Sequence, residues 1–214
     1  TVYGESEAGE NYWFVYNNVL FLCLNTNNTN TQEHKTFMEK AIAKNPDVDW
    51  KVAVFHHCLF SSGAYWFSPE IEQRRNELAP ILTDLGIDVV FNGHEHRYTR
   101  SHIMNGLVPD LTNGVQSKIV NPNGVLYITT STSSGSRYFD ASSEVVSDHI
   151  AVKWAEKTAS FANVEVTETS FKITTYNLDD MSIIDTVEIE KTNKFAVTVD
   201  EGLSADKELA AVGD

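Results

Sequence analysis

Runs of apolar residues alternate with segments of helical spacing through the first half of the chain. "NYWFVYNNVLFLCLNTN" (11–27) is rich in aromatic and β-branched residues, and Asn17-Asn18 interrupts it. Asparagine tolerates positive φ, so the pair predicts a tight hairpin turn between two strands, the second apolar on both faces and therefore interior. In "TNTQEHKTFMEKAIAK" (29–44), Phe37, Met38, Ala41 and Ile42 share one side of a helix. Thr29 and Gln32 stand at capping-box spacing at its start, and Asn45-Pro46 closes it. "WKVAVF" (50–55) is a further strand. A second helix is predicted over 68–86, with Ser68 as cap, Pro69 at the first helical position, Ile71, Leu78, Leu82 and Leu85 on one face, and Gly86 as terminator. Pro80 inside it predicts a kink. "IDVVF" follows, completing a strand, helix, strand, helix, strand series that favours a sheet covered by helices.

Beyond residue 101 the pattern changes. A loop rich in Gly and Asn (105–124) leads to the strand "GVLYITTST" and then to the small-residue run "SSGSRYFD". Residues 141–159 carry no assignable period. "SFANVEV", "SFKITTY" and "SIIDTVEIE", separated by the turns "TETS" and "NLDDM", predict a β-meander over 160–191. The expected division is a domain over 1–191, followed by a linker or the start of a further module over 192–214. There is no internal repeat.

Composition narrows the functional classes. With 214 residues and 42% hydrophobic content the chain is long and apolar enough for a substantial core. A net charge of −14 and a pI near 4.8 oppose nucleic acid and anionic membranes as general partners. A phosphate-bearing substrate would need locally concentrated positive charge, which metal ions supply. Cys23 and Cys58 lie in apolar surroundings and read as small core residues, with their pairing left open. No apolar run is long enough for a membrane-spanning helix, and the N-terminus carries no signal peptide. The opening "TVYGESEAGENYW" has the character of a cut from the middle of a longer sequence.

The chemistry is concentrated where two strands stop. "KVAVFHHCLFSSG" (51–63) ends its apolar run in His56-His57, and "DVVFNGHEHRYTRS" (88–101) ends its run in Gly93-His94-Glu95-His96. Ligand sites in open α/β sheets gather outside the carboxyl ends of strands. His-x-His presents two imidazoles from one short loop, and Gly93 is expected to permit a sharp turn there. His56, His94 and His96 are the candidate metal ligands, converging at one rim of the sheet. His57 is a pocket-wall or supporting residue. Glu95 is expected to face outward or to support the loop, and Tyr65 and Trp66 to pack. His34, His102 and His149 are read as structural.

On these residues, with "FVYNNVLFLCLNT", "NGVLYITTSTSSGSRYFD" and the terminal meander, residues 11–191 resemble the C-terminal half of a calcineurin-like metallophosphoesterase. The resemblance is to the purple acid phosphatase-like kind found in secreted bacterial proteins. It implies part of a four-layer α-β-β-α sandwich of mixed α/β class ending in a β-meander. It implies His56 and His94 on one metal and His96 on the other, with His57 a candidate proton donor to the leaving group. Two divalent or trivalent ions (Fe, Zn or Mn) and a phosphoester substrate, cleaved by a metal-bound hydroxide, follow from the same resemblance, as does a secreted or cell-surface location. No nucleic-acid partner is expected. Cys58 stands where the family often has proline, and "LFSSGAYWFS" lacks the further phosphate-contacting histidines that purple acid phosphatases carry after this strand.

The family's carboxylate blocks, Asp-x-His, Gly-Asp-x-x-Asp and Gly-Asn-His-Asp/Glu, do not occur in the chain. Three neutral imidazoles do not hold two cations a few Å apart without bridging oxygens. The chain alone is therefore expected to be catalytically incomplete, with the missing N-terminal half of the catalytic domain as its partner. Two other readings stay open: a non-catalytic binding or surface domain on a degenerate scaffold, and a mononuclear zinc hydrolase using the same three histidines and water.

Overall fold

A computed structural model describes residues 2–3, 10–135, 137–139 and 145–192. The linker or further module expected over 192–214 lies, from residue 193 onward, outside them. Strand β1 (Val2–Tyr3) pairs antiparallel with β2 (Tyr12–Tyr16), which turns into β3 (Val19–Cys23). The turn is the predicted one. Asn17 and Asn18 have φ of 47° and 65°, and Tyr16 faces Val19 across a two-residue hairpin.

Helix α1 (Thr31–Lys44) is capped one residue later than the Thr29–Gln32 spacing predicts. The Asn30 side chain accepts the Glu33 N–H, while Asn28 in turn accepts the Asn30 N–H at 2.9 Å, so a run of asparagines fixes the chain's entry. Met38 and Ala41 are buried, with Phe37 and Ile42 packed beside them, as the periodicity predicts. Strand β4 (Trp50–Val54), the 3₁₀ turn Ala64–Phe67, helix α2 (Pro69–Asp84) and strand β5 (Val89–Asn92) follow. Helix α2 runs on through Pro80 and stops before Gly86, whose φ of 64° few other residues adopt.

The remaining strands are β6 (Tyr98–Asn105), β7 (Val108–Pro109), β8 (Lys118–Val120), β9 (Val125–Thr129), β10 (Ile150–Trp154), β11 (Ser160–Val166), β12 (Ser170–Asn177) and β13 (Ile183–Glu190). They form two sheets. The larger runs β1-β2-β3-β4-β5-β9-β6-β10, with β7 on β6. Its centre, β3-β4-β5-β9, is parallel. The smaller runs β11-β12-β13-β8, its first three strands being the predicted meander. Strands β6, β8 and β10 carry no signal of their own in the sequence.

Alternation along the central strands separates two cores. Leu20, Leu22, Ala53, Val90 and Tyr127 face the helices, against Met38, Leu78 and Leu82. Val19, Val52, Val89, Leu126 and Ile128 face the smaller sheet, against Phe171, Ile173, Val187 and Ile189. A helix layer and two sheet layers result, the mixed α/β, two-sheet class expected. A buried ion pair crosses the sheet-to-sheet layer. Arg100 on β6 donates from Nε to Asp185 Oδ2 at 2.6 Å and from Nη2 to Oδ1 at 3.2 Å, and the Tyr98 hydroxyl donates to Oδ2 at 2.7 Å. Cys23 and Cys58 are free thiols.

Candidate metal centre

The two histidine turns leave adjacent parallel strands and are tied to each other as they leave. The Phe55 N–H donates to Phe91 O at 3.2 Å, and the Gly93 N–H donates to His56 O at 3.0 Å. The Asn92 side-chain amide donates to Phe55 O at 3.1 Å. Sheet hydrogen bonding therefore continues past the strand ends and fixes His56 relative to His94. The sharp turn expected of Gly93 belongs instead to the histidines: φ is 74° at His94 and 50° at His96. Left-handed backbone is uncommon for non-glycine residues, though less so for His.

Two predicted ligands meet. His56 Nε2 and His94 Nδ1 lie 3.0 Å apart, sharing one proton, with ring centroids at 5.0 Å. Two nitrogens bound at about 2.0–2.1 Å to one tetrahedral ion stand about 3.3 Å apart, so the pair fits two positions on one cation with a small adjustment. His96 turns elsewhere. Its Nδ1 donates to Arg137 O at 3.0 Å and its ring lies 5.1 Å from Phe139. That bond leaves Nε2 as the lone-pair nitrogen, the arrangement by which ligand histidines are commonly oriented. His57 completes a triangle of rings, 5.4 Å from His56 and 5.2 Å from His94, and is anchored by its Nδ1, 2.7 Å from Thr26 Oγ1.

Burial sets the charge of these rings. It pulls His57 down to about 4, assisted by the positive charge of Arg74. It also lowers His94, with His56 as the next cause. Both rings are neutral near pH 7, the form that binds metal. Arg74, buried on α2, donates from Nε to Thr26 O at 3.0 Å and so brings a fixed positive charge beside His57. Nothing in the helical pattern of α2 distinguishes that arginine from a surface one. Among the described residues no three His, Cys, Asp or Glu side chains gather closely enough to hold a metal by themselves.

Glu95, between the two GHEH histidines, faces inward rather than outward and is 1% exposed. Burial raises its carboxyl. Its Oε1 accepts the Tyr65 N–H at 2.8 Å, and the Tyr65 ring lies 4.1 Å from that of His94. Tyr65 is thus a wall of the centre, while Trp66 packs away from it, stacked on His149 at 4.0 Å with the Arg75 guanidinium on its other face. The other histidines are structural where the fold shows their contacts. His34 is pinned between the Asn11 side chain and Asn28 O, each at 2.9 Å, and His149 Nε2 donates to Ser61 O at 2.9 Å.

Residues 2–98 match the model of the family described as calcineurin-like phosphoesterase. Among curated proteins, the chain is 33% identical over 75 residues to purple acid phosphatase 17 of Arabidopsis thaliana, covering 35% of this chain and 21% of that protein. It is 28% identical over 101 residues to the purple acid phosphatase of Glycine max, covering 46% of this chain and 21% of that protein. The matched stretch spans about a fifth of the length of these relatives. Among solved structures, purple acid phosphatase PPD1 from yellow lupin (Lupinus luteus) superposes with a TM-score of 0.63 at 16% identity, over 85% of this chain and 32% of that one. GAP50, described as the anchor in the inner membrane complex of Plasmodium, gives 0.57 at 15% identity, over 83% of this chain and 52% of that one.

Proposed function

We propose that this chain, which is similar over residues 2–98 to the calcineurin-like phosphoesterases and in part to purple acid phosphatases, supplies half of a binuclear-metal centre that hydrolyses phosphate monoesters or related phosphoesters. The observation that carries the reading is the meeting of His56 Nε2 and His94 Nδ1 at 3.0 Å, outside the carboxyl ends of two parallel strands. In this reading His56 and His94 hold one ion and His96 Nε2 the other. Bound ions would supply Lewis acidity toward phosphoryl oxygens and would acidify water at neutral pH. The chain's own contribution is to keep the His57 and His94 rings neutral, fix the His56–His94 pair by the ties between β4 and β5, and hold His57 and Arg74 on one side. His57, held neutral at pH 7 chiefly by burial and next by Arg74, is in this reading the candidate proton donor to the leaving group.

The oxygen ligands come, we infer, from polypeptide outside the described residues. Two observations support this. Phe21, Val54 and Phe91 face the smaller sheet yet are only partly buried. Beside them, edge strand β11 leaves Val164, on its core-facing side with Ala162 and Val166, 39% exposed. A groove of about 400 Å³ lies between, lined by Phe91, Ser131, Phe161, Ala162 and Val164. An incoming extended segment would cover this apolar strip and end near the histidine turns. A secreted or cell-surface location is part of the same proposal. Among the described residues no helix is long and apolar enough to cross a membrane.

The test uses the full-length parent protein with its native metals. Metal content and phosphomonoester turnover should both fall in His56→Ala and His94→Ala and persist in His34→Asn. The 214-residue chain alone, loaded with Zn²⁺, Mn²⁺ or Fe²⁺, should turn over no substrate. Substantial turnover would overturn the need for outside ligands. One observation favours a second reading, a non-catalytic domain: the same fold serves as an anchor in GAP50. A parent protein that binds no metal by native mass spectrometry would decide for it.

A further inference from the structure

The loop after His57 is buried from Cys58 to Gly63. Nearly every residue of it is tied down. The Arg75 guanidinium donates to Leu59 O at 3.3 Å, His149 to Ser61 O at 2.9 Å, and the Val145 N–H to Ser62 O at 3.1 Å. Ser62 Oγ and Thr99 Oγ1 bond at 2.6 Å. The loop surfaces at Tyr65, where it meets the other histidine turn twice: the Tyr65 N–H on Glu95 Oε1, and the Tyr65 ring on His94.

The rings of the centre differ in what orients them. His57 is fixed by Thr26 and His96 by Arg137 O. His94 has no such anchor: its Nε2 is buried without a hydrogen-bond partner, and its Nδ1 meets only His56. A ligand histidine ordinarily gives its second ring N–H to a carbonyl or carboxylate, which sets the ring plane. Here the ring packed nearest is that of Tyr65, at 4.1 Å and tilted by 49°. Its position is set in turn by Glu95, whose carboxylate is wedged so closely against Gly63 that a Cβ there would collide with it.

We propose that Glu95, seated against Gly63, is a positioning residue that holds the Tyr65 ring on His94 and so fixes the imidazole plane with Nδ1 toward His56. The inference rests on the reading of His94 as a ligand for its purpose, but the contact itself does not. The sequence GHEH thus carries its own brace, with His94 meeting His56 and the next residue, Glu95, reaching back to lock the neighbouring loop.

The experiment is long-range ¹H–¹⁵N NMR of the imidazoles in the chain, with Zn²⁺ titrated into the same samples. In the wild type, His94 should show one tautomer and ring-current-shifted protons. Tyr65→Phe, which keeps the ring, and Glu95→Gln, which keeps the Oε1 acceptor, should retain that signature. Glu95→Ala, Gly63→Ala and Tyr65→Ala should lose it while the His34 and His96 signals stay in place, and Zn²⁺ binding should weaken about tenfold, as for lost orienting contacts at other metal sites. A His94 signature unchanged in Glu95→Ala overturns the proposal, as does one lost equally in Tyr65→Phe. If Zn²⁺ leaves the wild-type His94 signals untouched while the variants behave as expected, the brace stands and the ligand reading fails. If Zn²⁺ shifts His94 identically in wild type and Glu95→Ala, the reverse holds.

Discussion

Replacing Asp185 with alanine tests what joins the two sheets. The Arg100 side chain is 3% exposed and that of Asp185 10%. Asp185 accepts two guanidinium bonds and the Tyr98 hydroxyl. Asp185→Ala leaves the guanidinium buried with only the Gln116 carbonyl, which Nη1 reaches at 3.1 Å. Removing one partner of a buried pair costs about 3–5 kcal/mol. A lost neutral hydrogen bond costs about 1 kcal/mol, but the tyrosine and arginine share one acceptor, so the two costs do not add in full. An overall loss of about 4 kcal/mol, for a chain of this size, corresponds to a fall in Tm of about 8–16 °C. Urea unfolding with an unchanged m-value measures it. The double variant Arg100→Met, Asp185→Leu should recover most of the loss, since an apolar pair replaces an orphaned charge. A single-variant loss below about 1 kcal/mol, or a double variant no better than the single, would refute the account.

Other expectations are narrower. Burial holds His149 at about 4 against an ordinary 6.5. As pH falls through 6.5 the unfolded chain takes up the proton first, so this residue's stabilisation is complete above that value and is lost toward pH 4, by roughly 3 kcal/mol in all. His149→Phe should give a shallower decline of urea stability across that window; an equal slope would count against it. Burial pushes the Cys58 thiol up to about 12, so a thiol reagent should modify Cys23 in the native chain and reach Cys58 only on unfolding. Equal native rates would contradict that burial. At the hairpin, Asn17→Ala should cost about 1–2 kcal/mol because alanine resists positive φ, whereas Asn17→Gly should be close to neutral. Indistinguishable melting curves for the two would mean that the turn is not strained by a Cβ.

The elements legible in the sequence are those whose side chains announce their surroundings. Strands β3, β4 and β5 are apolar on both faces because each face meets its own core, and the histidines stand out because they interrupt such runs. Strand β6 is as buried as any of these, yet it reads Tyr-Thr-Arg-Ser-His-Ile-Met-Asn and shows no apolar period. Its polar groups are satisfied by partners distant in sequence: Arg100 by Asp185, Thr99 by Ser62, and Ser101 by the Tyr127 N–H at 3.0 Å. No local pattern encodes such pairings. For Glu95 the sequence leaves two readings, outward or supporting the loop, and does not choose the second for the same reason, since its acceptor role depends on a loop thirty residues away. The displaced cap of α1 is a smaller case, where several adjacent residues were all competent N-caps and an asparagine turn chose among them.

The open edge at β11 governs how the chain behaves in concentrated solution. Among the described residues β11 pairs with a strand on one side only, and beyond Ser160, whose N–H donates to Thr132 O at 3.1 Å, its outer edge carries no proline and no basic residue to deter a neighbour. The −14 net charge opposes the approach of a second copy at neutral pH. That protection vanishes as acidity approaches the isoelectric point near 4.8, so edge-to-edge aggregation should set in there unless a cognate strand already occupies the seat.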